Sequence, residues 1–101
     1  MADKRAKRPR KADYSRQFDK DWERLNRSGR YDMLRLKELM WRLIAGDLPL
    51  EAHWRDHPLE GDWVGFRECH VGGDFLLIYW LDATGQKIEF VRAGSHADLF
   101  E

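Results

Sequence analysis

Three of the chain's four histidines, His57, His70 and His96, sit in short motifs that also carry carboxylates. The motifs are His57-Pro58-Leu59-Glu60-Gly61, Arg67-Glu68-Cys69-His70-Val71 with Asp74 just beyond, and Gly94-Ser95-His96-Ala97-Asp98-Leu99-Phe100. Histidine is the side chain whose ordinary pKa lets it give or take a proton near neutrality, and it is also a common metal ligand. Two chemistries are therefore open: a metal-free acid–base site, or three imidazoles and a carboxylate around zinc. Among the three motif histidines no His-x-x-x-His pair is present to preform half of a metal site. His53 belongs to none of the motifs. Cys69 adjoins His70 in a strand-like run whose side chains alternate, so it is expected on the opposite side as a core thiol, not as a nucleophile paired with histidine.

Elements able to carry these motifs are legible in the pattern. Ser15 reads as an N-cap, with Phe18, Trp22 and Leu25 on one helical face and Gly29 as the stop. Asp32 caps a second predicted helix, in which Met33, Leu36, Leu39, Met40, Leu43 and Ile44 keep helical spacing up to Gly46. Residues 47–61 read as a loop fixed by Pro49 and Pro58. Three strand-like runs follow: Trp63–Val71, the near-continuous apolar run Phe75–Leu81, and Lys87–Arg92. The segments between them read as hairpin connections, and Lys11–Tyr14 is a weaker candidate for an extended segment. The expectation is an α+β domain, an N-terminal helical hairpin packed on a three- to four-stranded antiparallel β-sheet. Trp22, Trp41 and Trp80 are expected in the core, while Trp54 and Trp63, near the loop, are free to meet a partner.

With 101 residues the chain is sized for one domain with a modest core, to which five tryptophans and five phenylalanines contribute. No run approaches the roughly 18–20 apolar residues that span a bilayer. A single cysteine excludes an internal disulfide and fits a reducing compartment, so a cytoplasmic domain without membrane contact is the default. The net charge of zero hides an asymmetry: residues 1–11 hold six of the eighteen Lys and Arg and one of the eighteen acids, leaving +5 on the arm and −5 on the rest. The predicted boundaries are a flexible basic arm over 1–11 and one domain over 12–101. Phosphate backbone is a natural partner for the arm; a merely solubilising leader is the alternative.

The motif order Asp56-His57-Pro58-Leu59, Arg67-x-x-His70-Val71, Leu77-Ile78-Tyr79 and Gly94-Ser95-His96-x-x-Leu99-Phe100 resembles the YafQ branch of the RelE/ParE toxin superfamily. The resemblance implies the same helices-then-sheet fold. It also implies the toxin of a type II toxin–antitoxin module, a ribosome-dependent mRNA endonuclease with no metal or other cofactor. Its implied partners are a cognate antitoxin, the ribosome and mRNA, with DNA met only indirectly through the antitoxin complex. Carried over by position, the functional set is His57 as general base and His96 as general acid, or the two roles exchanged, His70 at the scissile phosphate, Asp74 at the RNA or paired with a histidine, and Phe100 stacking on a base. Arg67 and Arg92 are candidates for phosphate contact. Glu68 stands where the branch's pattern has Asp, and its longer reach leaves it without an assigned role. A metal-dependent hydrolase and a non-enzymatic, ParE-like interaction protein are the alternatives.

Overall fold

A computed structural model describes residues 8–46 and 48–101, so residues 1–7 of the basic arm lie outside the described residues. Five strands and three helices follow in the order β1 (Lys11–Tyr14), α1 (Arg16–Ser28), α2 (Met33–Ala45), β2 (His57–Pro58), β3 (Arg67–Gly72), β4 (Phe75–Leu81), β5 (Lys87–Ser95) and α3 (His96–Phe100). The sheet order is β1-β5-β4-β3-β2, with β1 parallel to β5 and the other neighbours antiparallel. The α+β class is as expected, but the sheet is five-stranded and mixed. The weakly signalled Lys11–Tyr14 segment is its fifth strand, and His57–Pro58, expected in a loop, pairs with β3.

Local chemistry sets the helix ends. The Ser15 hydroxyl accepts the Phe18 amide at 2.9 Å and donates to the Val91 carbonyl at 2.7 Å, so one side chain both starts α1 and ties it to β5. Asp32 accepts the Arg35 amide at 3.0 Å, and Gly29 and Gly46 close the two helices in the left-handed region. The apolar stripes of both helices then bury Phe18, Leu25, Leu36, Leu39, Met40 and Leu43 against one face of the sheet, over Leu77, Tyr79, Ile88 and Phe90. Burial of this kind is the main favourable term in folding, at about 25 cal/mol per Å² of apolar surface.

The opposite face is covered more thinly. Leu76, Ile78 and Leu99 are buried there, with Leu59, Trp63, Phe66, Val91 and Phe100 packed around them. The short helix α3 and the segment before β3 supply this cover. Trp63, expected to open the first of the three strand-like runs, lies instead in a single 3₁₀ turn over Gly61–Trp63, and β3 begins only at Arg67. At the other end β5 runs three residues past Arg92, to Ser95. Two tryptophans expected in the core are outside it: Trp41 is 66% exposed and Trp80 37%. Trp54, expected near a partner, is buried under the guanidinium of Arg35, 4.5 Å from the ring centroid. Among the described residues no helix is long and apolar enough to cross a membrane.

Candidate active site

Strand alternation brings the histidine motifs to the thinly covered face. Cys69 and Val71 of β3 enter the main core, which leaves Glu68 and His70 on the other side. The β2–β3 register places His57 opposite Glu68, and a register shift between His70 and Gly72 adds a bulge at the end of β3. His57 Nε2 lies 3.2 Å from Glu68 Oε1, His70 Nε2 lies 3.8 Å from the same oxygen, and the two imidazole centroids are 5.9 Å apart. Glu68 is 6% exposed, and its Oε2 has no hydrogen-bond partner among the described residues.

The protons in this cluster follow from the partners. His57 Nδ1 is 2.7 Å from the Arg55 carbonyl, which only accepts, so Nδ1 carries a hydrogen. Arg55 adopts the left-handed conformation, with φ of 51°. A bare Nε2 facing a carboxylate oxygen would set two acceptors against each other. The Glu68 carboxylate is thus placed to accept a hydrogen from Nε2 whenever His57 is charged.

His57 is held there by its neighbour. The Asp56 carboxylate accepts the Tyr79 hydroxyl at 2.6 Å and Arg67 Nε and Nη2 at 3.3 and 3.2 Å, with Cys69 Sγ at 3.6 Å. These donors come from β3 and β4, so Asp56 pins the segment before His57 to the sheet. Burial, reinforced by the Asp56 charge and hydrogen bond, pushes the Cys69 thiol and the Tyr79 hydroxyl far above their ordinary values. Cys69 is thus an inert thiol within this clamp, as its place in the strand pattern implies.

His96 reaches the same face from the other side of β4. On one rung of the sheet His70 pairs with Leu76 and Leu76 with Gly94, so the two outer strands stand about 10 Å apart there. His96 opens α3 immediately after Ser95, which caps the helix by accepting the Asp98 amide at 3.1 Å while Asp98 accepts the Ser95 amide at 3.0 Å. Asp74, at the tip of the β3–β4 hairpin, accepts the His96 backbone amide at 3.1 Å. It therefore fixes the start of α3, and its contact is with the backbone of His96, not the imidazole. Phe100 stands one helical turn on, 5.0 Å from the His96 ring and 6.0 Å from Trp63. Gly94 is required by close approach: a Cβ there would sit 3.0 Å from Asp98 Oδ2 and 3.2 Å from Arg24 Nη2.

The two candidate phosphate-binding arginines are placed otherwise. Arg67 is engaged by Asp56, and Arg92 donates from Nε and Nη2 to Asp21 of α1 at 2.8 and 3.1 Å. Asp21 is buried and also accepts the Ala93 amide and Arg24. Burial raises its pKa, but Arg92, the Ala93 amide and Arg24 together outweigh that and hold the carboxyl below the ordinary value. Both arginines thus brace the strands that carry the histidines. His53 packs its ring against Trp54 with centroids 4.6 Å apart, away from the cluster's contacts.

A family model described as the bacterial toxin YafQ of type II toxin–antitoxin systems matches residues 10–101. The chain belongs to the YafQ family. It is 46% identical over 91 residues to the mRNA interferase toxin YafQ of Escherichia coli K12, covering 90% of this chain and 96% of that one. It superposes on the toxin in the E. coli DinJ–YafQ toxin–antitoxin complex with a TM-score of 0.81 at 44% identity, over 91% of this chain and 99% of that one. A metal-bound toxin from Helicobacter pylori matches with a TM-score of 0.78 at 38% identity, over 89% and 98% of the two chains.

In this YafQ-family chain the match begins at Arg10, and the structure agrees. Arg10 and Lys11 are hydrogen-bonded into the domain, two residues earlier than the boundary read from composition. The metal-bound relative also makes the donor set worth testing. Ligand atoms of His57, Glu68 and His70 all lie within 4.8 Å of one another, and two imidazoles with a carboxylate suit a divalent transition metal. An ion held there would occupy the nitrogens and the carboxylate that proton transfer needs. Glu68 is the residue that sequence reasoning left without a role. Alternation places it on the side of His70, but only the β2–β3 register shows that it also faces His57.

Proposed function

We propose that this chain is an mRNA interferase that cuts message held on the ribosome by metal-independent attack of a ribose 2′-hydroxyl on the adjacent phosphate. The observation that supports it is the placement of the His57–Glu68 pair and the exposed His96 on one open face, with His70 and Phe100 beside them. The 2′-hydroxyl passes its proton to an unprotonated Nε2 of His57 as its oxygen bonds to phosphorus, and the Glu68 carboxylate stabilises the imidazolium that forms. The 5′-oxygen leaves with a proton from His96, whose Nε2 has no protein partner among the described residues. The products are a 2′,3′-cyclic phosphate and a 5′-hydroxyl end. A charged His70 stabilises the phosphorane oxygens, and Phe100 stacks on an unpaired base. Asp74 holds His96 in place through its amide. Arg67 and Arg92 serve as scaffold.

An open face suits this chemistry. Side-chain exposures of 43% for His57 and 61% for His96 leave the reacting phosphate to be positioned by whatever carries the message, and the ribosome fills that role. A cognate antitoxin encoded beside the gene is the expected inhibitor, DNA is met only through that complex, and the setting is the cytoplasm. Primer extension on a defined message in a translation extract tests the reading. Wild type is expected to cut at defined sites only with ribosomes present, the His96→Ala variant is expected to be silent, and a chelator is expected to leave cleavage intact. Cleavage abolished by the chelator and restored by added zinc would replace this reading with a metal-dependent hydrolase. Toxicity that survives alanine at His57, His70 and His96 together would favour a non-enzymatic toxin.

A further inference from the structure

The end of the sheet remote from the histidines carries a second built feature. Lys87 opens β5, and the parallel register sets it directly against Lys11 of β1. Lys87 and Glu89 alternate with Ile88 and Phe90 of the main core, so Lys11 and Lys87 project on the same open face as the histidines. Like charges directly opposed across strands repel. Asp13 and Glu89 form the next outward rung, and neither makes an ion pair with these lysines within the described residues.

The segment before β1 is fixed above this pair. Arg10 donates from Nε to the Gly85 carbonyl and from Nη1 to the Leu43 carbonyl, both at 2.7 Å, and from its amide to Ile44 at 2.7 Å. The Lys11 amide reaches the Gln86 carbonyl at 2.9 Å. The result is a cleft of about 840 Å³ between residues 8–11 and the β4–β5 turn, lined by Arg8, Arg10, Lys11 and Lys87 and by no acid. The family match starts at residue 10, so Arg8, and the Lys4, Arg5 and Lys7 that precede it in sequence, lie outside the matched span.

We propose that this cleft is a docking site for the phosphate backbone of ribosomal RNA, a second anchor at the end of the open face remote from the histidines. The proposal rests on the interferase reading and adds to it a place of contact. Eight residue steps of β5 separate Lys87 from Ser95, so the strand sets the anchor about 26 Å from His96. That span is too long for the nucleotide being cut and suits a fixed RNA surface around it. The charge distribution points the same way. A body of −5 repels free RNA, while the four cations lining the cleft draw that end toward fixed phosphates and orient the molecule as it arrives.

The test uses the full chain with Lys11→Gln and Lys87→Gln together, checked for folding by circular dichroism and melting temperature. Ribosome affinity should fall about tenfold at low salt, and the slope of log affinity against log salt should shrink by about two. KM for programmed ribosomes should rise while kcat stays, and Lys11→Arg with Lys87→Arg should restore both measures. A folded Gln variant with unchanged ribosome affinity and salt slope overturns the proposal. So does a variant that loses only antitoxin binding, which would mark the cleft as a site for an acidic protein. A wild-type chain that neither binds nor cuts on ribosomes overturns the interferase reading as well, whereas cleavage indifferent to Lys11 and Lys87 removes the docking site alone.

Discussion

The two faces of the sheet are built on opposite terms. One is sealed by α1 and α2 over a continuous apolar core, in which Leu36, Leu39, Leu43, Leu77, Tyr79 and Phe90 have no exposed surface. The other buries a much smaller apolar set, Leu76, Ile78 and Leu99, and leaves polar side chains at its margin. Stability resides on the covered face because apolar burial needs both partners out of water. The proposed chemistry falls on the open one, because an imidazole that is to trade protons with a polymer has to be reachable. Asp21 and Asp56 join the faces: each fixes, through arginine, the strand or segment that carries a histidine.

The largest test of this division is His96→Ala. It is expected to lower cleavage by about a thousandfold, within the range for removing a general acid, while shifting folding stability by less than about 0.5 kcal/mol. Equal losses of activity and stability would collapse the distinction. Leu39→Ala is the mirror experiment: roughly 3 to 4 kcal/mol of stability lost in urea unfolding, with cleavage per folded molecule unchanged. Glu68→Gln keeps the shape of the side chain and removes the charge that pairs His57. Cleavage is expected to fall about a hundredfold, with the pH–rate profile displaced rather than merely scaled down.

The bridging ion pair is tested by Asp21→Asn, expected to cost roughly 2 to 3 kcal/mol at neutral pH because two arginines and an amide lose a charged partner. The sign with pH is fixed by the lowered carboxyl. Its contribution is complete above the unfolded value of 3.8 and drains away as pH falls toward the folded one, so wild type and variant should converge in acid. A gap that widens in acid would contradict this account. The smallest effect is expected for Trp41→Gln, within about 0.5 kcal/mol, since that ring is mostly in water.

The local grammar of the chain was readable wherever one residue decides the outcome. Ser15, Asp32, Gly29 and Gly46 set the helix ends without help from elsewhere, and alternation in β3 separated Cys69 from His70. Strand pairing was less legible. Lys11–Tyr14 and His57–Pro58 are too short to show a period, and they become strands only because β5 and β3 offer unpaired edges. The tryptophans misled for a related reason. Helical spacing says which residues share a face, but Trp41 and Trp80 fall on faces that nothing covers.

The sequence by itself determined the fold class, the helix ends and the grouping of His57, His70 and His96, because these follow from residue type, local spacing and a recognisable motif order. Tertiary structure alone decided that Glu68 lies between two histidines, that Arg67 and Arg92 are braces, and that Lys11 faces Lys87. Each of those facts is a matter of register between strands distant in the chain. A register is fixed by the packing of the whole sheet, and no single stretch of sequence records it.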